Sequence, residues 1–214
     1  MSRVNDGMYS SNNQKWMTEG GFLAKLLAFE GRTHFDLDPA CSIRNVPAYA
    51  HFLFPEFDAL ARDWAVGLCE TLCFLNPPYG SHLALFLKKC NEQSQKGVRI
   101  WALVPARTCT KYQHKYGLAA AGFTVFLSGR LKFIPEPDYR PTLIRERFEK
   151  AVGKKEHKGW SPIRLTKKII REINDGTAPF PTMLLYYGDD WREKAKRWQD
   201  DPPFEGTLMT RLTF

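Results

Sequence analysis

The sequence predicts an α/β domain built on a mainly parallel sheet, and two observations support that fold class. Apolar runs of strand length recur along the chain, at 34–37, 71–75 and 98–104. The segments between them show helical periodicity of apolar residues, as at 83–90 and 112–120. Strands that alternate with helices are typical of parallel sheets, which bind ligands beyond the carboxyl ends of their strands.

Each of the three apolar runs ends at residues suited to binding or catalysis. The first leads into Asp38-Pro39, the second into Asn76-Pro77-Pro78-Tyr79, and the third into Pro105-Ala106-Arg107-Thr108. We expect these three strand ends to line one crevice, because parallel strands end at the same edge of a sheet. Two later apolar runs, 123–127 and 182–187, are predicted to be further strands.

The composition is that of an ordinary globular protein. The chain has 214 residues, of which 43% are hydrophobic and 25% charged, enough for one domain with or without a small insertion. Its apolar runs are too short to span a membrane, and residues 1–14 are too polar for a signal peptide. The five cysteines show no disulfide-like pairing, and Cys69 and Cys73 lack a second pair at zinc-finger spacing. We therefore expect a cytoplasmic protein with reduced thiols and no metal.

The positive charge is concentrated in one segment. The net charge is +8, and residues 140–172 contain eleven Lys and Arg against four Glu, which gives +7 of that total. A charge run alone is usually a solvated surface, and a basic protein need not bind an anion. The charge therefore permits a nucleic-acid partner without requiring one.

The same segment interrupts the strand pattern. Residues 135–176 begin with three prolines within seven positions and end with the turn signal Asn174-Asp175-Gly176. Within it, 144–152 and 165–173 each have the spacing of a short amphipathic helix. We interpret 135–176 as a basic insertion at the edge of the domain.

The tetrapeptide Asn76-Pro77-Pro78-Tyr79 matches what methylation of a planar ring amine requires. The lone pair of such an amine is delocalised into the ring, and two hydrogen-bond acceptors can turn it toward a methyl donor. Asn76 offers a side-chain oxygen, and Pro77 offers a carbonyl whose direction the two prolines make rigid. Tyr79 offers an aromatic face for the base, worth roughly 1–3 kcal/mol. A proline-rich turn is the alternative interpretation, but the position between a strand and a helix favours catalysis.

Several short blocks occur in order around this tetrapeptide. They are Trp16 to Phe22, Phe35-Asp36-Leu37-Asp38-Pro39-Ala40, Asp58-Ala59-Leu60 with Asp63-Trp64, Asn76-Pro77-Pro78-Tyr79-Gly80, Pro105-Ala106-Arg107-Thr108, Gly129-Arg130-Leu131-Lys132-Phe133 and Ala178-Pro179-Phe180-Pro181. In these blocks the sequence resembles the phage-encoded N6-adenine DNA methyltransferases, of the DNA adenine methylase family. The resemblance covers most of residues 10–134 and resumes at 178–187.

The resemblance implies a Rossmann-like fold with a seven-stranded sheet and S-adenosylmethionine as the methyl donor to the N6 amine of adenine in DNA. Asp38, Pro39 and Ala40 would hold the methionine end of the donor. The other implied cofactor-binding residues are Trp16 and Thr18, as an N-terminal motif, and Asp58 and Asp63, for the ribose hydroxyls or the adenine amine. No glycine-rich turn follows Asp38, which departs from the wider methyltransferase pattern but fits this branch.

With 135–176 as an insertion, we expect residues 1–134 and 177–214 to form the catalytic domain, and the resemblance implies DNA as its partner. The insertion 135–176 is longer than is usual in the family. We expect it to contact DNA phosphates, and the target base to be flipped out of the duplex. The expected DNA-binding residues are Arg107, Arg130, Lys132, Lys154, Lys155, Lys167 and Lys168. A phage-encoded chain would act in the host cytoplasm, and protection from restriction is one purpose that the sequence leaves open.

Two other functions remain open from the sequence. An Asn-Pro-Pro-Tyr methylase acting on RNA guanine or protein glutamine is the first, and the missing glycine turn and the block 178–181 argue against it. A non-catalytic nucleic-acid-binding module is the second, and the intact tetrapeptide argues against that one, because binding alone would not require it.

Overall fold

The computed structural model describes residues 16–53, 58–65, 70–176, 178 and 180–211. A short π-helical segment, Gln113–Leu118, and a 3₁₀ turn, Lys155–His157, accompany the main elements. The strands and helices in chain order are β1 (Trp16–Thr18), α1 (Gly20–Glu30), β2 (Phe35–Cys41), β3 (Ala48–Leu53), β4 (Leu72–Leu75), α2 (Leu83–Ser94), β5 (Arg99–Pro105), β6 (Phe123–Leu127), β7 (Phe133–Pro135), α3 (Arg140–Val152), α4 (Pro162–Asp175), β8 (Thr182–Tyr187), α5 (Trp191–Asp200) and β9 (Gly206–Thr210).

Seven of the described strands form one mixed sheet, in the order β3-β2-β4-β5-β8-β6-β9. The α/β class is confirmed, but the prediction of a mainly parallel sheet is wrong. The neighbours β3–β2, β2–β4 and β4–β5 are parallel, whereas β5–β8, β8–β6 and β6–β9 are antiparallel. Every residue of β8 is buried, so its apolar run has the same pattern in either direction. Only the connection through the preceding segment sets that direction.

The sheet is covered on both faces, which explains the uninterrupted apolar strands. One face packs against α1 and α5, where Leu23, Trp101 and Trp198 are buried. The other face packs against α2, with Leu87 and Ile100 fully buried. The two-sided core fixes the strand ends rigidly, since close-packed interiors resist displacement.

The basic insertion forms two antiparallel helices, α3 and α4, which we call the two-helix insertion. Arg140 at the start of α3 donates a hydrogen bond to Asn174 near the end of α4, which shows the antiparallel arrangement. Ser161 caps α4 by accepting from the backbone N–H of Arg164, and Gly176 ends α4 in the left-handed conformation (φ 59°). The helices bury a small core of their own: Leu143, Ala151, Leu165, Ile169 and Ile173.

Both ends of the two-helix insertion adjoin the small antiparallel sheet formed by β1 and β7. β7 leads directly into the two-helix insertion. The insertion ends at Gly176, whose carbonyl accepts a hydrogen bond from the backbone N–H of Phe133 in β7 at 2.8 Å. Trp16 of β1 packs against its core. None of the helices in the described ranges has the length and apolar character needed to cross a bilayer.

Candidate active site

The structure brings the three predicted strand ends to one side of the sheet. Asp38 lies in β2, Asn76 directly follows β4, and Arg107 follows β5. These strands are parallel neighbours, so their carboxyl ends lie side by side. We call this side of the sheet the catalytic edge.

Two side chains fix the orientation of the Asn76 amide. Its Nδ2 donates to Thr18 Oγ1 at 3.1 Å, and its Oδ1 accepts from the Tyr79 hydroxyl at 2.7 Å. Thr18 is buried and sits at the end of β1, which pairs with β7. An amide oxygen has two acceptor positions, and Tyr79 takes one of them. The second is oriented by the same contacts and can accept from a substrate amine.

Tyr79 combines a buried hydroxyl with a partly exposed ring. Burial raises the pKa of the Tyr79 hydroxyl well above its ordinary value, so the hydroxyl stays protonated and acts as a donor, to Asn76 and also to the Leu103 carbonyl at 3.4 Å. The rings of Phe133 and Phe180 meet the Tyr79 ring edge-on, with centroids 6.4 and 5.5 Å away. These contacts hold the ring plane, and its exposed part remains for stacking against a base.

The two prolines of the tetrapeptide, Pro77 and Pro78, are buried. The Pro77 ring fixes the φ of Pro77, and the following Pro78 restricts its ψ, so the carbonyl of Pro77 has a narrow range of directions. Within the described part of the chain, no backbone N–H donates to that carbonyl. Asn76 and Pro77 together therefore provide two preset acceptors close to an aromatic ring.

Asp38 is a buried carboxylate without a cationic partner among the described residues. Its side chain accepts from the Ala40 backbone N–H at 3.3 Å, and the residue is 3% exposed. Desolvation raises the pKa of Asp38 to about 7, although the Ala40 hydrogen bond opposes that rise. The ionised form of this buried carboxyl is stabilised by a cation that enters the site. The ammonium group of an amino acid, such as the methionine part of S-adenosylmethionine, has the required charge.

The other predicted cofactor residues have different positions. Pro39 and Ala40 lie buried in β2 beside Asp38, and Trp16 is half-buried between the main core and the two-helix insertion. Thr18 is the residue that contacts Asn76. Thr18 was predicted to belong to the cofactor motif, and the structure shows that it also contacts the catalytic loop directly.

The two acids predicted to bind the cofactor ribose are separated. Asp58 is exposed and accepts from the backbone N–H groups of Leu60 and Ala61, at 3.0 and 3.2 Å, so it caps the turn that it begins. Asp63 forms an exposed ion pair with Lys96 at 2.9 Å, which holds the pKa of that carboxyl below its ordinary value. Lys96 precedes β5, at the edge of the sheet opposite the catalytic edge. The structure therefore does not bring Asp63 to Asp38.

Glu136 belongs to this region of the structure, although no sequence pattern pointed to it. It lies at the root of the two-helix insertion and is 8% exposed. Its carboxylate accepts from the Ser42 hydroxyl, and Ser42 directly follows β2. This contact fastens the root of the insertion to the strand that carries Asp38.

Three predicted DNA-binding residues lie on the catalytic edge, in the segments after β5 and β6. Arg107 is half-buried, and Arg130 is exposed with its Nη1 3.4 Å from the Ala178 carbonyl. Lys132 is exposed, with its Nζ 4.0 Å from an Asp175 oxygen. All three are therefore cationic side chains on the catalytic edge.

The four lysines predicted in the insertion differ in exposure. Lys154, Lys155 and Lys167 are exposed. Lys168 is half-buried, and its Nζ lies 3.0 Å from His157 Nε2. A lysine held in this way is less available to phosphates than the other three.

The family of the chain follows from a comparison with known proteins. The family model for DNA N-6-adenine-methyltransferase (Dam) matches residues 8–147, which is 140 of the 214 residues. The chain belongs to the Dam family. The match includes Thr18, Asp38 and the tetrapeptide 76–79, and it ends within α3. No curated protein and no solved structure matches the chain.

Membership of the Dam family decides among the functions that the sequence left open. The Dam family implies transfer of a methyl group to the N6 amine of adenine in DNA, with S-adenosylmethionine as the donor. The chain is thus a DNA adenine methyltransferase, and it acts on DNA. In the described residues, no group of three or more His, Cys, Asp and Glu side chains is arranged to hold a metal ion.

Proposed function

We propose that this enzyme methylates an adenine that is stacked on Tyr79 and held by Asn76 and Pro77, with S-adenosylmethionine bound at Asp38. The observation that carries the proposal is the fixed Asn76 amide, whose Nδ2 bonds Thr18 and whose Oδ1 bonds Tyr79 at 3.1 and 2.7 Å. This arrangement leaves one acceptor position on Asn76 Oδ1 for the adenine amine.

In the proposed mechanism the chain works by orientation rather than by strong acid–base chemistry. Asn76 Oδ1 and the Pro77 carbonyl accept the two amine hydrogens, which turns the nitrogen lone pair toward the methyl donor. S-adenosylmethionine supplies a methyl group on a positively charged sulfur. An amide is too weak a base to take the amine proton, and water can take it once the nitrogen is methylated. Alignment of the reacting atoms supplies most of the acceleration.

Asp38 is the residue that fits the ammonium of the donor, and Pro39 and Ala40 line the same strand. Asp58 remains the candidate for the ribose hydroxyls, because Asp63 is engaged with Lys96. The parallel strands β2, β4 and β5, with ligands beyond their carboxyl ends, are compatible with a Rossmann-like methyltransferase fold.

The proposal also describes how the enzyme binds its DNA substrate. The target base is flipped out of the stack, because its amine is inaccessible within the duplex. Arg107, Arg130 and Lys132 contact the phosphates around it, and exposed lysines of the two-helix insertion contact phosphates farther away. A phage origin, a cytoplasmic location and a role in restriction-modification belong to this proposal as well.

A product assay tests the proposed reaction. The enzyme is incubated with radiolabelled S-adenosylmethionine and, in separate reactions, with duplex DNA, RNA or protein; each product is digested and the labelled nucleoside or amino acid is identified. We expect the label in N6-methyldeoxyadenosine, and no label in a poly(dG)·poly(dC) control without adenine. Label in cytosine, in RNA guanine or in protein glutamine would contradict the proposal.

Thr18→Val tests whether Thr18 positions the catalytic Asn76. Valine keeps the shape of threonine but removes the acceptor of the Asn76 Nδ2 hydrogen bond, so the amide can rotate. We expect kcat to fall about tenfold, the equivalent of roughly 1.4 kcal/mol for the removal of one hydrogen bond. The KM for S-adenosylmethionine should stay close to that of the wild type.

Thr18→Ser is the matched control, because serine retains the hydroxyl and should restore most of kcat. If Thr18→Val instead raises the KM for S-adenosylmethionine and leaves kcat intact, Thr18 serves the cofactor and not Asn76.

A further inference from the structure

The loop between α3 and α4 forms the free end of the two-helix insertion. Arg140, at the start of α3, contacts Asn174, near the end of α4, so both chain connections to the catalytic domain lie at the opposite end. We call residues 152–164 the tip. The family match ends at residue 147, so the tip lies outside the part of the chain that defines the family.

The tip presents apolar side chains among positive charges. Val152 is 58% exposed and Ile163 is 69% exposed. Four exposed cations share the tip with one acidic residue, Glu156: they are Lys154, Lys155, Lys158 and Arg164. Single exposed aliphatic residues are ordinary on protein surfaces. Val152 and Ile163, however, lie in the same short segment as four cations. The surface of the tip is therefore partly apolar and attracts a polyanion.

The tip is held in shape by His157. This histidine is buried, its Nδ1 lies 3.1 Å from the Ala151 carbonyl of α3, and its Nε2 lies 3.0 Å from Lys168 Nζ of α4. Trp160 packs against the His157 ring at 5.0 Å and carries the Arg164 guanidinium over its own ring at 4.1 Å. A preformed surface binds with a smaller loss of conformational entropy than a mobile loop.

The length of the helices sets the reach of the tip. The thirteen residues of α3 extend about 20 Å at 1.5 Å per residue. The root of the insertion lies beside β1, whose Thr18 contacts Asn76. For helices that run along the duplex axis, a distance of about 20 Å corresponds to roughly six base pairs at 3.4 Å each.

We propose that the tip docks on duplex DNA roughly six base pairs from the target adenine. Lys154, Lys155 and Lys158 bind phosphates on both sides of a groove, and Val152 and Ile163 enter the groove. Phosphate contacts of this kind give affinity and register, and aliphatic side chains that enter a groove are a known means of deforming DNA. The inference rests on the proposed function, because the six-base-pair spacing assumes that the adenine lies at Asn76.

Duplex length gives a direct test. Binding of a 30-base-pair and an 8-base-pair duplex, each with a central adenine, is measured by fluorescence anisotropy for the full chain and for the double variant Val152→Ser/Ile163→Ser. We expect the double variant to bind the long duplex about tenfold more weakly, with an unchanged salt dependence, because the substitutions leave the charge of the tip unaltered. The short duplex, which does not reach the tip, should bind both proteins equally.

The cations of the tip are tested separately with Lys154→Gln/Lys155→Gln/Lys158→Gln. We expect the slope of log K against log salt on the long duplex to become shallower by about 0.9 for each phosphate that the protein no longer neutralises. Controls away from the tip are Met209→Ser, an exposed apolar residue of β9, and Lys196→Gln, an exposed lysine of α5. Both should bind like the wild type.

The results separate the two proposals. Equal binding of the long duplex by wild type and tip variants overturns docking at the tip, and so does an equal weakening on both duplex lengths. An equal weakening on single-stranded DNA of the same length assigns the tip to single strands and also overturns the proposal. Failure of the proposed function appears elsewhere, as absence of N6-methyladenine in the product of the wild-type enzyme.

Discussion

Asn76→Ala should lower kcat for adenine methylation by roughly 10²–10³-fold, the range found when one preset hydrogen-bonding group is removed from a catalytic site. In the proposed mechanism, alanine removes the oxygen that accepts from the substrate amine, so the lone pair is no longer turned toward the methyl donor. Binding of S-adenosylmethionine at Asp38 should be unaffected, because Asn76 contacts Thr18 and Tyr79. Single-turnover methyl transfer and equilibrium cofactor binding measure the two quantities separately.

Two further variants show whether the oxygen is what matters. Asn76→Asp keeps an acceptor, and the Thr18 hydroxyl can donate to the carboxylate where it accepted from the amide. We therefore expect Asn76→Asp to retain more activity than Asn76→Ala. Asn91→Ala removes an asparagine from the far end of α2 and should behave like the wild type. A normal transfer rate in Asn76→Ala would show that the mechanism is wrong.

The sequence predicted those parts of the fold that show a local pattern, either a continuous apolar run or the helical spacing of apolar residues. The runs 123–127 and 182–187 coincide with β6 and β8, and the helices expected in the basic insertion lie within α3 and α4. The edge strands β3 and β9 were not predicted, because neither has an unbroken apolar run. β3 is mostly half-buried and β9 is mostly exposed. The prediction of a mainly parallel sheet was wrong, since the direction of a buried strand such as β8 depends on chain connections.

In the candidate site, too, the sequence predicted the residues that are contiguous and missed the contacts between residues far apart in the chain. The tetrapeptide could be recognised because its chemistry lies within four consecutive residues. The contact between Thr18 and Asn76 spans 58 positions, and the contact between Ser42 and Glu136 spans 94. No spacing rule connects such pairs, because folding alone brings them together. Asp63 is the opposite case. It lies only five positions after Asp58 in the sequence, but its carboxylate pairs with Lys96 at the edge of the sheet opposite the catalytic edge.

Asp38→Asn should affect stability and cofactor binding in opposite directions. The wild-type carboxylate is buried, and burial raises its pKa from 3.8 to about 7. Because the folded pKa is the higher one, the folded state binds the proton more tightly. The contribution of Asp38 to stability is therefore greatest below about pH 4 and is lost as pH rises to 7. The loss amounts to roughly 4 kcal/mol for a change of this size.

At pH 8, without cofactor, asparagine removes the unpaired charge. We expect the variant to be more stable by roughly 1–3 kcal/mol, less than the full amount because the buried amide also loses hydration. Urea unfolding of the cofactor-free protein measures this difference. A residue with a purely structural role would destabilise the protein when replaced.

The same variant should bind S-adenosylmethionine roughly 10²-fold more weakly at pH 7.5, since it removes one partner of a buried charge pair. For the wild type, affinity should rise with pH until Asp38 is ionised near pH 7 and fall above about pH 8, where an α-amino group loses its proton. In Asp38→Asn the affinity should no longer rise toward pH 7, but it should still fall above about pH 8. Asp63→Asn, which breaks only the exposed pair with Lys96, is the matched control and should retain wild-type affinity and pH dependence. If Asp38→Asn binds the cofactor normally, the ammonium lies elsewhere, because no other change in the variant would replace the missing charge.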